Sequence, residues 1–420
     1  MRGLLRVLRR PATGALTAQG TQALAGLVLQ VAAARSLGAA GLATFALLYG
    51  LVVLATAVCS GLVGDSLTVL DRHEPRTRAA LLVGATWVCG VAGVGGALLG
   101  VLTGVVPPWA GLVLGLATAA FIAEDALRRL LMATGRFWSL PAVDGTSLLL
   151  ALGTLGLLRT TGALDLTDFL LALLVGQAGA ALVAWPLLPA HERPRGPWRG
   201  PALRVVAAFG VWRAAAQAIR PALLTVLRLL VVAVAGAAAY GPLEAARVYT
   251  APTLVLVAGL GSWLLPHFVA LQAAGPAAGL RYADRAAAGL ALAVAGLGGA
   301  AVLVLPWLGP ALTGGDYPVP VGAVVGWTAY AVASAVLLPY SGLASVHRRQ
   351  RRVLALRSLE LLSLVAVLAL VLLVPGGAGW APAALALGPL LAAVAVRRLV
   401  LVPLLSPRAE AGTTAAPVPA

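Results

Sequence analysis

The stretch HERPRGPWRGP, residues 191–201, decides how this chain is built. It is the most polar and proline-rich break in a sequence that is otherwise almost entirely apolar. Proline removes a backbone donor and biases the preceding residue away from helix, so no helix is expected to run through it. Moving outward, six apolar runs precede it, near 13–35, 39–64, 79–103, 108–125, 140–158 and 168–189. Six more follow, near 205–236, 242–266, 286–305, 319–342, 356–374 and 382–403. Each approaches the ~20 residues that span a bilayer core as a helix. The expectation is an all-α polytopic membrane protein of about twelve transmembrane helices. Its domains are a first six-helix lobe at 1–190, a linker at 191–204, a second six-helix lobe at 205–405 and a disordered Ala/Pro/Thr-rich tail at 406–420.

Composition leads to the same class. Of 420 residues, 60% are hydrophobic and only 10% charged, against about 25% charged in an ordinary soluble domain. Mean hydropathy is +0.96. A soluble protein must clothe its surface in polar groups, and this chain lacks them. Soluble enzymes, secreted disulfide modules and disordered regulators are excluded. The two cysteines, Cys59 and Cys89, lie in apolar runs and supply neither a disulfide framework nor a zinc pattern. The basic N-terminus, MRGLLRVLRR, leads into an apolar run followed closely by another, which reads as a retained first span.

Arginine placement gives orientation. All 30 basic residues are arginine. With the N-terminus inside, 24 of them fall on inner segments, and Arg35 and Arg159 fall outside. This positive-inside bias places both termini in the cytoplasm and the protein in the plasma (cytoplasmic) membrane as a multi-pass chain. Short arginine clusters between apolar runs suit membrane topology and not nucleic acid, which is not expected as a partner. Outer loops are short, the longest near 306–318.

The remaining arginines lie within spans. In AFGVWRAAAQAIRPALLTVLRLLVVAVAG, residues 208–236, Arg213, Gln217, Arg220 and Arg228 sit at about 0°, 40°, −20° and 60° around a helix, along roughly 22 Å of its axis. Arginine at the bilayer centre costs at least ~2.5–3.5 kcal/mol on insertion scales. One reading is a shared wet, anion-bearing cavity; the other is snorkelling of Arg213 and Arg228 to opposite headgroup layers. Pro221 follows the deepest of these arginines, where a kink would suit a moving gate, or is an ordinary membrane-helix proline. In the first span Gln19, Gln22 and Gln30 share one arc. They form either a polar wall facing the seventh span or helix–helix hydrogen bonds within a lobe. Arg247 joins the cationic cavity or pairs locally with Glu244. Asp65, Asp144 and Glu360 are expected at cytoplasmic span ends, solvated at the interface or, alternatively, as proton or cation sites.

A faint internal repeat accompanies these positions. A shift of 198 residues aligns Gln19 with Gln217, Gln22 with Arg220, Gln30 with Arg228 and Gly38 with Gly236. A shift of 200 aligns Tyr49 with Tyr249 and Gly61 with Gly261. The repeat is expected to be parallel, about an axis along the membrane normal.

Three stretches carry a resemblance: LQVAAARSLGAAGLATFALLYGL at 29–51, DALRRLLMATGRFWSLPAVDG at 125–145, and AAAYGPLEAARVYTAPTLVLVAGLGSWLLP at 237–266. With the twelve-span plan, the sequence resembles the polysaccharide (oligosaccharide-lipid) flippase branch of the multidrug/oligosaccharidyl-lipid/polysaccharide exporter superfamily. The resemblance implies a MATE-like pair of six-helix bundles working by alternating access. It further implies a polyprenyl-pyrophosphate-linked oligosaccharide as cargo for cell-surface polysaccharide biosynthesis and coupling to a proton or sodium gradient. Polysaccharide synthase proteins are candidate partners. No cofactor and no enzymatic activity are expected. Two alternatives stand beside it. A multidrug or organic-cation antiporter of the same fold would want a membrane-embedded acid. A polytopic glycan polymerase or glycosyltransferase would want clustered acids or a large outer loop.

Overall fold

The computed structural model describes residues 11–194, 200–271, 275–347 and 349–405. The described chain is helical almost throughout and forms twelve rods. They are α1 (Pro11–Ser36), α2 (Gly38–Cys59), α3 (Pro75–Leu102), α4 (Pro108–Ala133), α5 (Leu140–Arg159) and α6 (Leu166–Leu187). Then follow α7 (Leu203–Ala235), α8 (Ala237–Ala270), α9 (Pro276–Thr313), α10 (Val321–Val346), α11 (Arg351–Leu373) and α12 (Gly377–Leu405). Among the described residues, ten helices are long and apolar enough to cross a membrane. A helix satisfies its own backbone polar groups without water, which suits so apolar a chain to a bilayer.

The rods depart from the expected spans at their ends. α4 runs to Ala133, eight residues past the expected limit at 125, so Glu124 and Asp125 lie inside the helix. α9 continues to Thr313 through Pro306 and Pro310, which shortens the loop expected near 306–318. α2 passes into a π-helical turn, Ser60–Gly64, and a last short helix, Asp65–Val69. α7 is helical through Pro221. The N-terminal segment, residues 195–199 of the linker and the tail lie outside the described residues.

Two compact units form: Met1–Val232 with Leu312–Tyr317, and Ala233–Ala311 with Pro318–Ala420. In the first, α6 and α3 both pack on α4, around a core that includes Cys59, Val63, Ile122 and Leu131. In the second, α10 is the central rod, touching α8 and α12, around Phe268, Ala335 and Val396. Outward side chains are apolar as well; Leu102 is 81% exposed and Leu182 76%. In water such surfaces would drive aggregation, and in lipid they are at rest.

One pair of residues that the 198-residue shift aligns falls at helix joints. Gly38, at φ +65°, joins α1 to α2, and Gly236, at φ +87°, joins α7 to α8. At both joints the backbone passes through the left-handed region, where a side chain is strained. The two glycines are the pair aligned by the 198-residue shift.

Candidate functional site

The site is built from the stretch EDALRR, residues 124–129, inside α4. On a helix Glu124 faces Arg128 and Asp125 faces Arg129, each at i,i+4. The two pairs are offset by one residue and so point about 100° apart. Each feeds a separate network.

The first network is buried. Arg128 pairs with Asp144 of α5: Nη2 donates to Oδ2 at 3.0 Å, and Nε lies 2.8 Å from Oδ1 without hydrogen-bond geometry. Glu124 Oε1 lies 3.7 Å from Arg128 Nε. All three residues are 4% exposed or less. Beside them is a cavity of about 70 Å3 lined by Gln22, Tyr49, Glu124, Asp144, Ser147 and Gln177 among others. Gln177 Nε2 donates to Ser147 Oγ at 3.0 Å. Two carboxylates face one guanidinium here. A surplus charge in a low-dielectric interior is not tolerated bare, so charge balance calls for a proton or a cation. The cavity has room for an ion or a water.

The second network gathers around Asp65, just past the π turn. Arg213 of α7 reaches Asp65 Oδ2 with both Nε and Nη2 at 2.7 Å. Gln217 Nε2 donates to the same oxygen at 2.9 Å. Arg129 approaches Oδ1 at 3.3 Å and donates through Nε to Asp125 at 2.9 Å and to Ser60 Oγ at 3.0 Å. Ser60 donates in turn to Asp125. Two acids and two arginines balance. Arg213 keeps a 48% exposed side chain, while Asp65 is 13% exposed. Small residues allow this approach: a Cβ on Gly61 would collide with the Ala214 backbone, and one on Gly210 with the Leu62 carbonyl. Backbones that close are a membrane-helix packing device.

The expected site residues thus divide. Arg213 and Gln217 are brought together on one carboxylate. Arg228 is buried at 4%, its guanidinium against Gly50, where a Cβ would lie 2.5 Å from Nη1 and 3.3 Å from Thr225 Oγ1. Arg220 is half-buried on the same helix, next to Pro221. Gln22 lines the Glu124 cavity, and Gln30 Nε2 donates to the Gly26 carbonyl of its own helix at 3.1 Å. The side chain of Gln19 lies outside the described residues. Arg247 pairs with Glu244 at 2.7 Å within α8, and Tyr240 Oη donates to the same glutamate at 2.9 Å. That is the local pair, one turn apart.

Three acids correct the expectation of solvated span ends. Asp65 is the acceptor just described, Asp144 is the buried partner of Arg128, and Glu360 is 3% exposed and bound to Arg357 at 2.7 Å. The physical reason is common to all: a paired guanidinium replaces the water that a carboxylate would otherwise seek. Glu124, which the expected limit at 125 put at the end of the fourth span, sits in the interior of α4. Asp284 was missed. It is bidentate to Arg397, at 2.8 and 2.9 Å, and accepts from Tyr340 at 2.9 Å, in the second unit. The signal available for Glu124 and Asp125 was their i,i+4 spacing from two arginines; Asp284 offered none.

The linker is anchored where it is described. Arg72 is bidentate to Glu192, at 3.0 and 2.9 Å, and holds that carboxyl below the usual carboxylate range. Arg78 donates to the carbonyls of His191 and Arg193, and Arg76 Nε to that of Gly200.

No protein-family model matches the chain, and no curated protein matches it. Solved structures do. An inward-facing conformation of a multidrug resistance MATE family transporter of the MOP superfamily aligns with TM-score 0.72 at 15% identity, over 97% of this chain and 100% of that one. An outward-facing conformation of such a transporter aligns with TM-score 0.65 at 14%, over 97% and 99%. A MOP superfamily transporter from Pyrococcus furiosus, described as having a binding pocket of reverse polarity that suggests a different function, aligns with TM-score 0.64 at 14%, over 94% of both chains. Together with the twelve rods, these alignments give the chain the fold of the MATE transporters of the MOP superfamily.

Proposed function

We propose that this chain is a membrane transporter that flips a polyprenyl-pyrophosphate-linked oligosaccharide across the cytoplasmic membrane by alternating access, for cell-surface polysaccharide assembly. The observation that carries this is the charge on α7: Arg213, Arg220 and Arg228 lie in its apolar length, and the helix contains no acid. A pyrophosphate is a multivalent anion, and arginine presents it a planar fork of donors. The polyprenyl tail stays in lipid while the headgroup crosses. Gln217 adds a donor for phosphate or sugar oxygens. In this proposal the lobes are 1–190 and 205–405, joined at 191–204. Asp65 then belongs to one lobe and Arg213 with Gln217 to the other. Their bond is a latch on the cytoplasmic side that an incoming anion competes for and that lobe motion must open, with Pro221 as the flexible point of α7. The surplus carboxylate at Glu124 takes the coupling proton or sodium ion.

A second reading, an organic-cation antiporter, is favoured by one observation: Glu124 is a buried acid beside a polar cavity. The two are separated by native mass spectrometry of the purified protein with an undecaprenyl-pyrophosphate lipid and with a lipophilic cation. Selective retention of the pyrophosphate lipid, weakened at least tenfold in Arg220→Ala, is the expected result. Preference for the cation selects the antiporter, and lipid retention indifferent to Arg220 overturns the α7 site.

A further inference from the structure

A second cavity, about 750 Å3, lies entirely within the first unit and is lined by none of the charged residues of the two networks. That volume is in the range of small-molecule sites, about 300–1,000 Å3. Its floor is a row of small side chains on α4, Ala119, Ala120, Ala123 and Ala126. Its walls are α3, with Thr86 and Cys89, and α6, with Ala178 and Leu182. Both walls pack on α4 and scarcely touch each other, so a slot stays open between them along the rods. Leu182 and Trp87, at and beside its edges, are among the most exposed side chains of the chain, which places the slot on a lipid-facing surface.

One end of the slot is different. Arg72, Arg78, Glu192, Trp185 and Pro194 close it. Arg72 is neutralised by Glu192. Arg78 is not neutralised in this way: its guanidinium donates to two carbonyls, at 2.9 Å to His191 and 2.5 Å to Arg193, and a carbonyl carries no net charge. The mouth therefore keeps a positive charge, with a tryptophan at the level where such rings favour the headgroup layer. An empty slot between rods in a bilayer would forfeit dispersion contact along its whole length.

We infer that this slot is a binding site for one anionic glycerophospholipid, with an acyl chain on the alanine floor between α3 and α6 and the phosphate at Arg78. Charge complementarity at the mouth selects the headgroup, and the apolar slot accepts the chain without selecting its length. The inference stands apart from the transport proposal, since none of these residues belongs to α7.

The test is native mass spectrometry after mild delipidation, with phosphatidylglycerol and phosphatidylcholine added back in competition. Wild-type protein is expected to retain one phosphatidylglycerol with at least fivefold preference. Thr86→Phe, an exposed wall position, and Ala123→Phe, on the floor, fill the slot and are expected to lose that lipid. Arg78→Gln is expected to keep a bound lipid while the headgroup preference falls toward one. Equal retention of the two lipids by wild type, or wild-type retention in Thr86→Phe, overturns the site. Undecaprenyl phosphate displacing phosphatidylglycerol overturns the choice of occupant. A protein dimer that Thr86→Phe dissociates assigns the slot to a second copy of the chain instead.

Discussion

The two acid–base pairs of EDALRR stand one residue apart on a single helix and live in different surroundings. Glu124 and Arg128 are sealed between α4 and α5, with Asp144 as a third member. Asp125 and Arg129 face the end of α2 and join Asp65, Ser60 and Arg213. The inner group has one acid too many and no exposed member; the outer group is balanced, and one of its arginines is half in solvent. Offset by a single position, the same side-chain types make a sealed group with a surplus carboxylate on one side and a balanced, part-exposed group on the other. What distinguishes them is burial and stoichiometry, not residue type.

The inner group is expected to be the more fragile. Arg128→Ala leaves two buried carboxylates without their guanidinium, and breaking a buried pair in this way costs about 3–5 kcal/mol. Thermal unfolding in detergent should show a large drop; an unchanged midpoint would mean that water already reaches Asp144. Next in size is Gly61→Val. Its side chain meets the Ala214 backbone, and overpacking of this kind costs about 1–3 kcal/mol. It pries α7 from Asp65 while sparing the inner group, so reactivity of a Cys introduced at Ser66, which is buried, should rise.

Asp65→Asn tests the outer group alone. Charged hydrogen bonds are worth about 1.5–3 kcal/mol when buried, and exposure of Arg213 reduces the expected loss to about 1 kcal/mol. Under the transport proposal the same change removes the competing carboxylate, so affinity for the pyrophosphate lipid should rise severalfold; a fall would assign Asp65 to the binding site. The smallest effect is expected outside the bilayer, at Arg72–Glu192. Because the native carboxyl is held below its ordinary range, the bond contributes above the unfolded glutamate value and is lost as pH falls through the folded one. Comparing wild type with Glu192→Gln across that interval should reveal a difference of about 0.2–1 kcal/mol, larger at the neutral end.

Much of this architecture is legible in the sequence because the bilayer enforces it. Twelve apolar runs become twelve rods, and the α7 stripe is visible because four polar residues fall on one helical arc. The glycine joints at 38 and 236 could be aligned by shift alone. The acids were harder. Taking charge as the mark of a span end cut α4 short at 125, yet an i,i+4 arginine lets a carboxylate stay in the rod. Asp65 and Arg213 are 148 residues apart, and no local pattern joins them. Gln22 and Tyr49 became neighbours of Glu124 only once α1, α2 and α4 had packed.

Under the transport proposal, the left-handed joint at Gly236 would give α7 a fulcrum at one end, in addition to any bend at Pro221. Arg228 lies eight residues from that joint and Arg213 twenty-three, about 12 Å and about 35 Å along the rod at ~1.5 Å per residue. For any small swing of α7 about the glycine, Arg213 sweeps nearly three times the arc of Arg228. Under that proposal, a tilt small enough to leave Arg228 against Gly50 would move Arg213 away from Asp65, and the contact sits where leverage would be greatest.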